Sequence, residues 1–231
     1  MDILLVAGLW LKRGVWDATV ASLEELGHAA RAVALPGVDD GSRTATLEDQ
    51  VEAVLAAVDA ADRPLLVGHS AACALAWIAA DRRPRAVASV ALVGGFPSGD
   101  GQTYADFFPL VDGVMPFPGW EPFEGPDAAD LDGQARARIA SDAVPVPGGV
   151  AHGTVRLRDE RRYDVPLRMI CPEFTPAQAR AWVDAGEVPE LARARHVAYV
   201  DLETGHWPMV TQPAALARLL GAAADAAGGE G

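Results

Sequence analysis

Ser70 stands in the run Pro64-Leu65-Leu66-Val67-Gly68-His69-Ser70-Ala71-Ala72, where a short apolar stretch that reads as a buried strand meets an Ala-rich segment, 71–80, that reads as a tightly packed helix. A serine on so sharp a strand-to-helix turn has its hydroxyl exposed at the carboxyl edge of a sheet, an arrangement known as a nucleophile elbow. The turn needs small residues two before and two after the serine, because the two backbones approach closely there; Gly68 and Ala72 meet that need. Glycine is more usual at the second of these positions, so Ala72 is a mild departure. A serine nucleophile also needs a base within hydrogen-bond reach and a third group to orient that base. Of the five histidines, His206 is the candidate base, because Thr204-Gly205-His206-Trp207-Pro208 lies just past an apolar strand, in a loop at the same sheet edge. For the acid, Glu173 follows directly on the strand ending at Cys171, and Asp100, after the strand ending at Val93, is the alternative. The oxyanion hole is expected from the Ala71 amide and from a second amide at Leu9 or Trp10, in the loop after the first strand. Trp10, His69, Phe107, Phe108, Trp120 and Trp207 are the candidate substrate-binding side chains, and the cap aromatics among them could equally pack the cap on itself.

These groups need a scaffold, and the chain supplies one by alternation. Ile3 to Val6 reads as a central strand and Trp16, Val20 and Leu23 as a helix ended by Gly27. Ala30 to Leu35 reads as a second strand before Pro36-Gly37. Thr46 with Asp49 three residues on reads as the start of a helix whose apolar face is Leu47, Val51, Val54, Leu55 and Val58. Ala86 to Val93 is an almost unbroken apolar strand, as a sheet covered on both faces requires. Strand and helix alternation predicts an α/β fold with a doubly wound, mostly parallel sheet. The pattern breaks between 97 and 163, where Pro, Gly and aromatics cluster and helical periods recur only around 105–111 and 131–141. An insertion of that size is expected to be a cap over the active site within a single domain spanning 1–231. Leu167 to Cys171 and His196 to Leu202 read as the last strands, with helices from Thr175-Pro176 towards Gly186 and over 213–226.

Composition narrows the function. The formal charge of −13 argues against nucleic acid or an anionic membrane as partner. Cys73 and Cys171 have apolar neighbours and no metal-ligand spacing, which predicts buried free thiols, no metal and a reducing compartment. The first eleven residues are too short for a membrane span and lack a basic start, so no signal peptide is read and a cytoplasmic location is expected.

With these residues in place the chain resembles the α/β-hydrolase superfamily, and within it small esterases of the plant methyl-esterase and hydroxynitrile-lyase type and their bacterial relatives. The resemblance rests on Gly8-Leu9-Trp10, Trp16, Leu35-Pro36-Gly37, Thr46-Leu47-Glu48-Asp49, Val67-Gly68-His69-Ser70 and Gly205-His206-Trp207-Pro208-Met209. Ser, acid and His also follow in the order that fold uses. Ala7 stands where such relatives usually have the histidine of a His-Gly pair, and Glu173 where an aspartate is more common. The leading antiparallel strands of larger relatives are expected to be absent. The resemblance implies a cofactor-free hydrolase of small or medium apolar esters, lactones or thioesters, acting through Ser70, His206 and an acyl-enzyme. A lyase or decyclase on the same triad, a receptor that binds without turnover, and a thioesterase served by a carrier protein are the rival readings. Hydroxynitrile-lyase chemistry is disfavoured because those relatives use a lid lysine and Lys12, the only lysine, is far from the cap in sequence. Dehalogenase and epoxide-hydrolase relatives carry aspartate in place of Ser70. The oligomeric state, a homodimer included, is left open.

Overall fold

In the computed structural model, which describes residues 1–228, the strands are β1 (Asp2–Val6), β2 (Ala29–Ala32), β3 (Leu65–His69), β4 (Ser89–Val93), β5 (Val114–Met115), β6 (Val146–Pro147), β7 (Leu167–Cys171) and β8 (Val197–Asp201). Six of them form one parallel sheet in the order β2-β1-β3-β4-β7-β8, while β5 and β6 pair antiparallel in a separate two-stranded sheet. The helices are α1 (Asp17–Glu25), α2 (Leu47–Asp59), α3 (Ala72–Arg82), α4 (Gly133–Asp142), α5 (Gly148–Ala151), α6 (Pro176–Asp184), α7 (Pro189–Arg193), α8 (Pro208–Thr211) and α9 (Pro213–Gly228). This is the α/β-hydrolase arrangement, with the strand order reversing beside β1 and β3 and a long excursion between β4 and β7. Among the described residues no helix is long and apolar enough to cross a membrane.

The two-residue period of the strands divides the core. Leu4, Val6, Leu66, Leu92 and Met169 point to the face covered by Val51, Val54 and Leu55 of α2 and Leu75, Trp77 and Ile78 of α3. Ile3, Leu5, Val67, Val93 and Ile170 point to the opposite face, against Leu23 of α1 and Leu216 and Leu220 of α9. Both faces being covered explains why β1, β3 and β4 are apolar apart from one end residue each, Asp2, His69 and Ser89. Helix starts follow sequence chemistry. Thr46 and Asp49 form a reciprocal capping box on α2, and Thr175 and Gln178 form another on α6.

Three elements differ from the sequence expectation. The second strand is Ala29–Ala32 rather than 30–35, leaving the ladder where its partner β1 ends. Ala86 and Val87 belong to the turn after α3, where their amides donate to the Arg83 carbonyl, and β4 starts only at Ser89. No helix forms over 105–111. Pro109 lacks an amide hydrogen and disfavours helical geometry at Phe108, and the Tyr104 and Ala105 amides donate instead to the carbonyls of Gly153 and Ala151.

A buried ionic cluster ties the end of the excursion to the sheet layer. Arg162 lies between Asp81 of α3 at 3.1 Å and Glu190 of α7 at 2.9 Å, all three side chains being at least nine-tenths buried. Trp77 Nε1 also donates to Glu190 at 2.9 Å, and Asp81 accepts the Arg158 and Asp159 amides. Removing the cation strands two buried carboxylates. Arg162→Met is therefore expected to cost about 3–5 kcal/mol, read as a lower urea midpoint at unchanged slope.

Candidate active site

β3 ends at His69 and α3 begins at Ala72, so Ser70 and Ala71 alone make the reversal. Ser70 has φ +55°, in the left-handed region that non-glycine residues enter at a cost. Its amide donates to the Val93 carbonyl at 2.9 Å, fastening the turn to the end of β4. The packing leaves no room for side chains nearby. A Cβ at Gly68 would lie 2.4 Å from the Ala72 carbonyl oxygen, and one at Gly95 would lie 2.3 Å from that of Ser70.

His206 is held at three points. Its amide donates to the Asp127 carbonyl at 2.7 Å, and its own carbonyl accepts from His69 Nε2 at 2.8 Å. Its Nδ1 lies 2.7 Å from Glu173 Oε1, and with a carboxylate as acceptor Nδ1 carries the hydrogen, leaving Nε2 with a free lone pair. Both side chains are nearly buried, and Glu173 Oε2 has no hydrogen-bond partner among the described residues. Gly94, at φ +59°, makes space for the pair, since a Cβ there would lie 3.2 Å from His206 Nδ1 and 3.3 Å from Glu173 Oε2. Asp100 lies elsewhere, its carboxylate accepting the Leu157 amide at 2.9 Å.

The loop after β1 passes directly against the elbow: a Cβ at Gly8 would lie 2.9 Å from His69 Nδ1 and 3.0 Å from Ser70 Cβ. Beyond it Trp10 adopts φ +64°, the second left-handed non-glycine residue of the site. That conformation is fixed from the excursion, whose Val144 amide donates to the Trp10 carbonyl at 2.9 Å and whose Met115 carbonyl accepts from the indole at 3.1 Å. The Leu9, Trp10 and Ala71 amides find no backbone acceptor among the described residues.

A cleft of about 470 Å³ opens on Ser70 and Ala71, with Phe96, Tyr104, Phe107 and Trp182 among its walls. A larger hollow of about 590 Å³, near Lys12 and Arg138, lies beyond Trp10 and does not include Ser70. Of the expected substrate-binding side chains, Phe107 lines the cleft and is 62% exposed. Trp10, Phe108, Trp120 and Trp207 join Phe117 and Phe123 in a cluster of rings that pack on one another at 5.3–6.4 Å. His69 is fully buried behind the serine. Sequence reasoning missed Phe96 and Trp182. The signal for Phe96 was its place after Gly94-Gly95, at the carboxyl end of a central strand.

The family model for the alpha/beta hydrolase family matches residues 3–219. The chain belongs to that family. Among solved structures, this hydrolase-family chain is similar to an extracellular alpha/beta-hydrolase from a Paenibacillus species, described as sharing structural and functional homology with tobacco salicylic acid binding protein 2. The identity is 18%, 97% of this chain and 98% of that one are covered, and the TM-score is 0.79. A pyrethroid hydrolase from Sphingobium faniae is 22% identical with a TM-score of 0.71, and a tomato methylketone synthase I variant 16% identical with a TM-score of 0.72. Each match covers 98% of both chains. Among curated proteins no sequence matches.

His69 ties this alpha/beta hydrolase to pH. Burial, and secondarily the nearby His206, pushes its pKa down from 6.5 to about 3, so the unfolded chain binds a proton that the folded one refuses in between. Stability is therefore complete above about pH 6.5 and falls as pH drops towards 3, by at most about 1.4 kcal/mol per pH unit from this group. Urea unfolding from pH 7 to pH 4 is expected to show that slope, and His69→Gln to flatten it.

Proposed function

We propose that the protein is a serine hydrolase of small or medium esters, lactones or thioesters, with Ser70 as nucleophile, His206 as base and Glu173 as the acid that orients it. The observation carrying this reading is the 2.7 Å bond between His206 Nδ1 and Glu173, taken together with a serine held in left-handed geometry at a strand-to-helix turn. Asp100, whose carboxylate accepts the Leu157 amide, is not given the acid's role in this reading.

Ser70 Oγ attacks the carbonyl carbon as its proton passes to His206 Nε2, giving a tetrahedral oxyanion. The Ala71 and Leu9 amides receive that oxyanion, with Trp10 holding the bend of the loop. Glu173 stabilises the imidazolium, which then protonates the leaving alcohol or thiol as the carbon–oxygen or carbon–sulfur bond breaks. Water, losing a proton to His206, attacks the acyl-enzyme, and the proton returns to Ser70 Oγ as the carboxylic acid leaves. Residues 97–163 serve as the cap, with Phe107 offering apolar wall to the acyl or leaving group. No metal or cofactor enters these steps. Cys73 and Cys171, both buried and unpaired, fit a reducing, cytoplasmic setting, although the Paenibacillus neighbour is described as extracellular.

A fluorophosphonate probe with peptide mapping tests the reading. Labelling is expected at Ser70 and lost in His206→Ala. Ester hydrolysis is expected to vanish in Ser70→Ala and to fall about 10³-fold or more in Glu173→Gln. A folded wild type left unlabelled, or Ser70→Ala at the full rate, overturns it.

A further inference from the structure

We infer that the cleft beside Ser70 selects esters carrying an alkylammonium group, held against Phe96 and Trp182 and paired with Glu187. The inference rests on the esterase reading and narrows its substrate class.

The cleft walls are largely uncharged. Among the described residues lining it, Glu187 is the only side chain charged at neutral pH. Glu187 is exposed and makes no ion pair among the described residues. The cations nearest to it in sequence are engaged elsewhere: Arg180 lies over the Tyr199 ring at 4.6 Å, and Arg193 pairs with Glu160 at 2.6 Å. The carboxylate is thus available to a ligand.

Its surroundings favour a positive charge. Phe96 and Trp182, both lining the cleft, stand at 88° with centroids 5.7 Å apart, forming a corner of two aromatic rings. Phe174 closes the corner from outside the cleft, stacked on Phe96 at 5.4 Å and edge-on to Trp182 at 5.2 Å. Aromatic faces attract cations, and quaternary ammonium groups are recognised by such ring corners. Trp182 sits in the last turn of α6, at the negative end of the helix dipole. The Glu187 amide donates to the Trp182 carbonyl at 3.0 Å, fixing the backbone of the carboxylate-bearing residue to that of Trp182, and both residues line the cleft. A carboxylate substrate meets repulsion here and no counter-charge. An alkylammonium ester gains both the ring faces and Glu187 while its carbonyl reaches Ser70 in the same cleft.

The test compares butyrylthiocholine with its neutral isostere, S-(3,3-dimethylbutyl) thiobutyrate, which has the same shape without the charge. Affinity is measured by calorimetry on Ser70→Ala, so that binding is read without turnover. The cationic thioester is expected to bind about tenfold more tightly than the isostere, the ratio to shrink at high salt, and Glu187→Gln in the same background to lower it at least threefold. Equal affinity for the two thioesters, or a ratio unmoved by Glu187→Gln, overturns the inference. The hydrolase reading is decided separately by the fluorophosphonate probe: a Ser70 left unlabelled in the folded wild type fails that reading while the binding ratio still decides the charge preference.

Discussion

Backbone pressed on backbone at the turn carrying Ser70 is the constraint on which the rest of the molecule depends. Gly68 meets the start of α3, and Gly95 meets the carbonyl of Ser70, each closer than any Cβ permits. A left-handed serine persists only where its surroundings over-determine it. Here β3 fixes one side of the turn, α3 the other, and the Val93 carbonyl at the end of β4 holds the amide. The small residues of α3 follow from the same demand. Ala72, Ala74, Ala76, Ala79 and Ala80 are all buried, because a helix lying so close to the sheet has little room for larger groups.

Charge at the site is arranged with equal economy. A histidine ring is best placed to take up a proton where a carboxylate answers it and no second cation stands near. Glu173 provides the first condition, at charge-assisted hydrogen-bond distance. His69 provides the second by staying neutral, although its ring centroid lies only 4.9 Å from that of His206. Neutrality also fixes its tautomer, with Nε2 donating to the His206 carbonyl. One buried imidazole thereby braces the loop of the other without competing for its proton.

Local chemistry made much of this legible in the sequence. The Thr46 capping box, the helix start at Thr175 and the Gly27 and Gly186 helix ends rest on contacts a few residues apart, and the structure has them where they were expected. The pairing of His206 with Glu173 rather than Asp100 was not decided by spacing. It depends on β7 lying between β4 and β8, a long-range fact that places residue 173 beside residue 206. The excursion resisted reading for the same reason. Over 101–105 its backbone bonds to distant segments, as Thr103 does with Thr154 and Tyr104 with Gly153, so periodicity over 105–111 carried no information about helix. The aromatic residues of 104–123 could be seen as a group, but only packing separates Phe107 on the cleft from the rings that bury one another around Trp10.

The bonds that hold Trp10 bear on modularity. Chains of this architecture invite the view that the stretch above the sheet is an exchangeable part, to be swapped between relatives to change what is bound. In this protein the loop that follows β1 takes its shape from Val144 and Met115, which lie within that stretch. A chimera that keeps the sheet and replaces residues 97–163 loses both hydrogen bonds, and a tryptophan at φ +64° has nothing left to hold it there. The first β-loop and the excursion are therefore one inheritable unit, and a transplant that preserves the geometry at Ser70 has to carry them together.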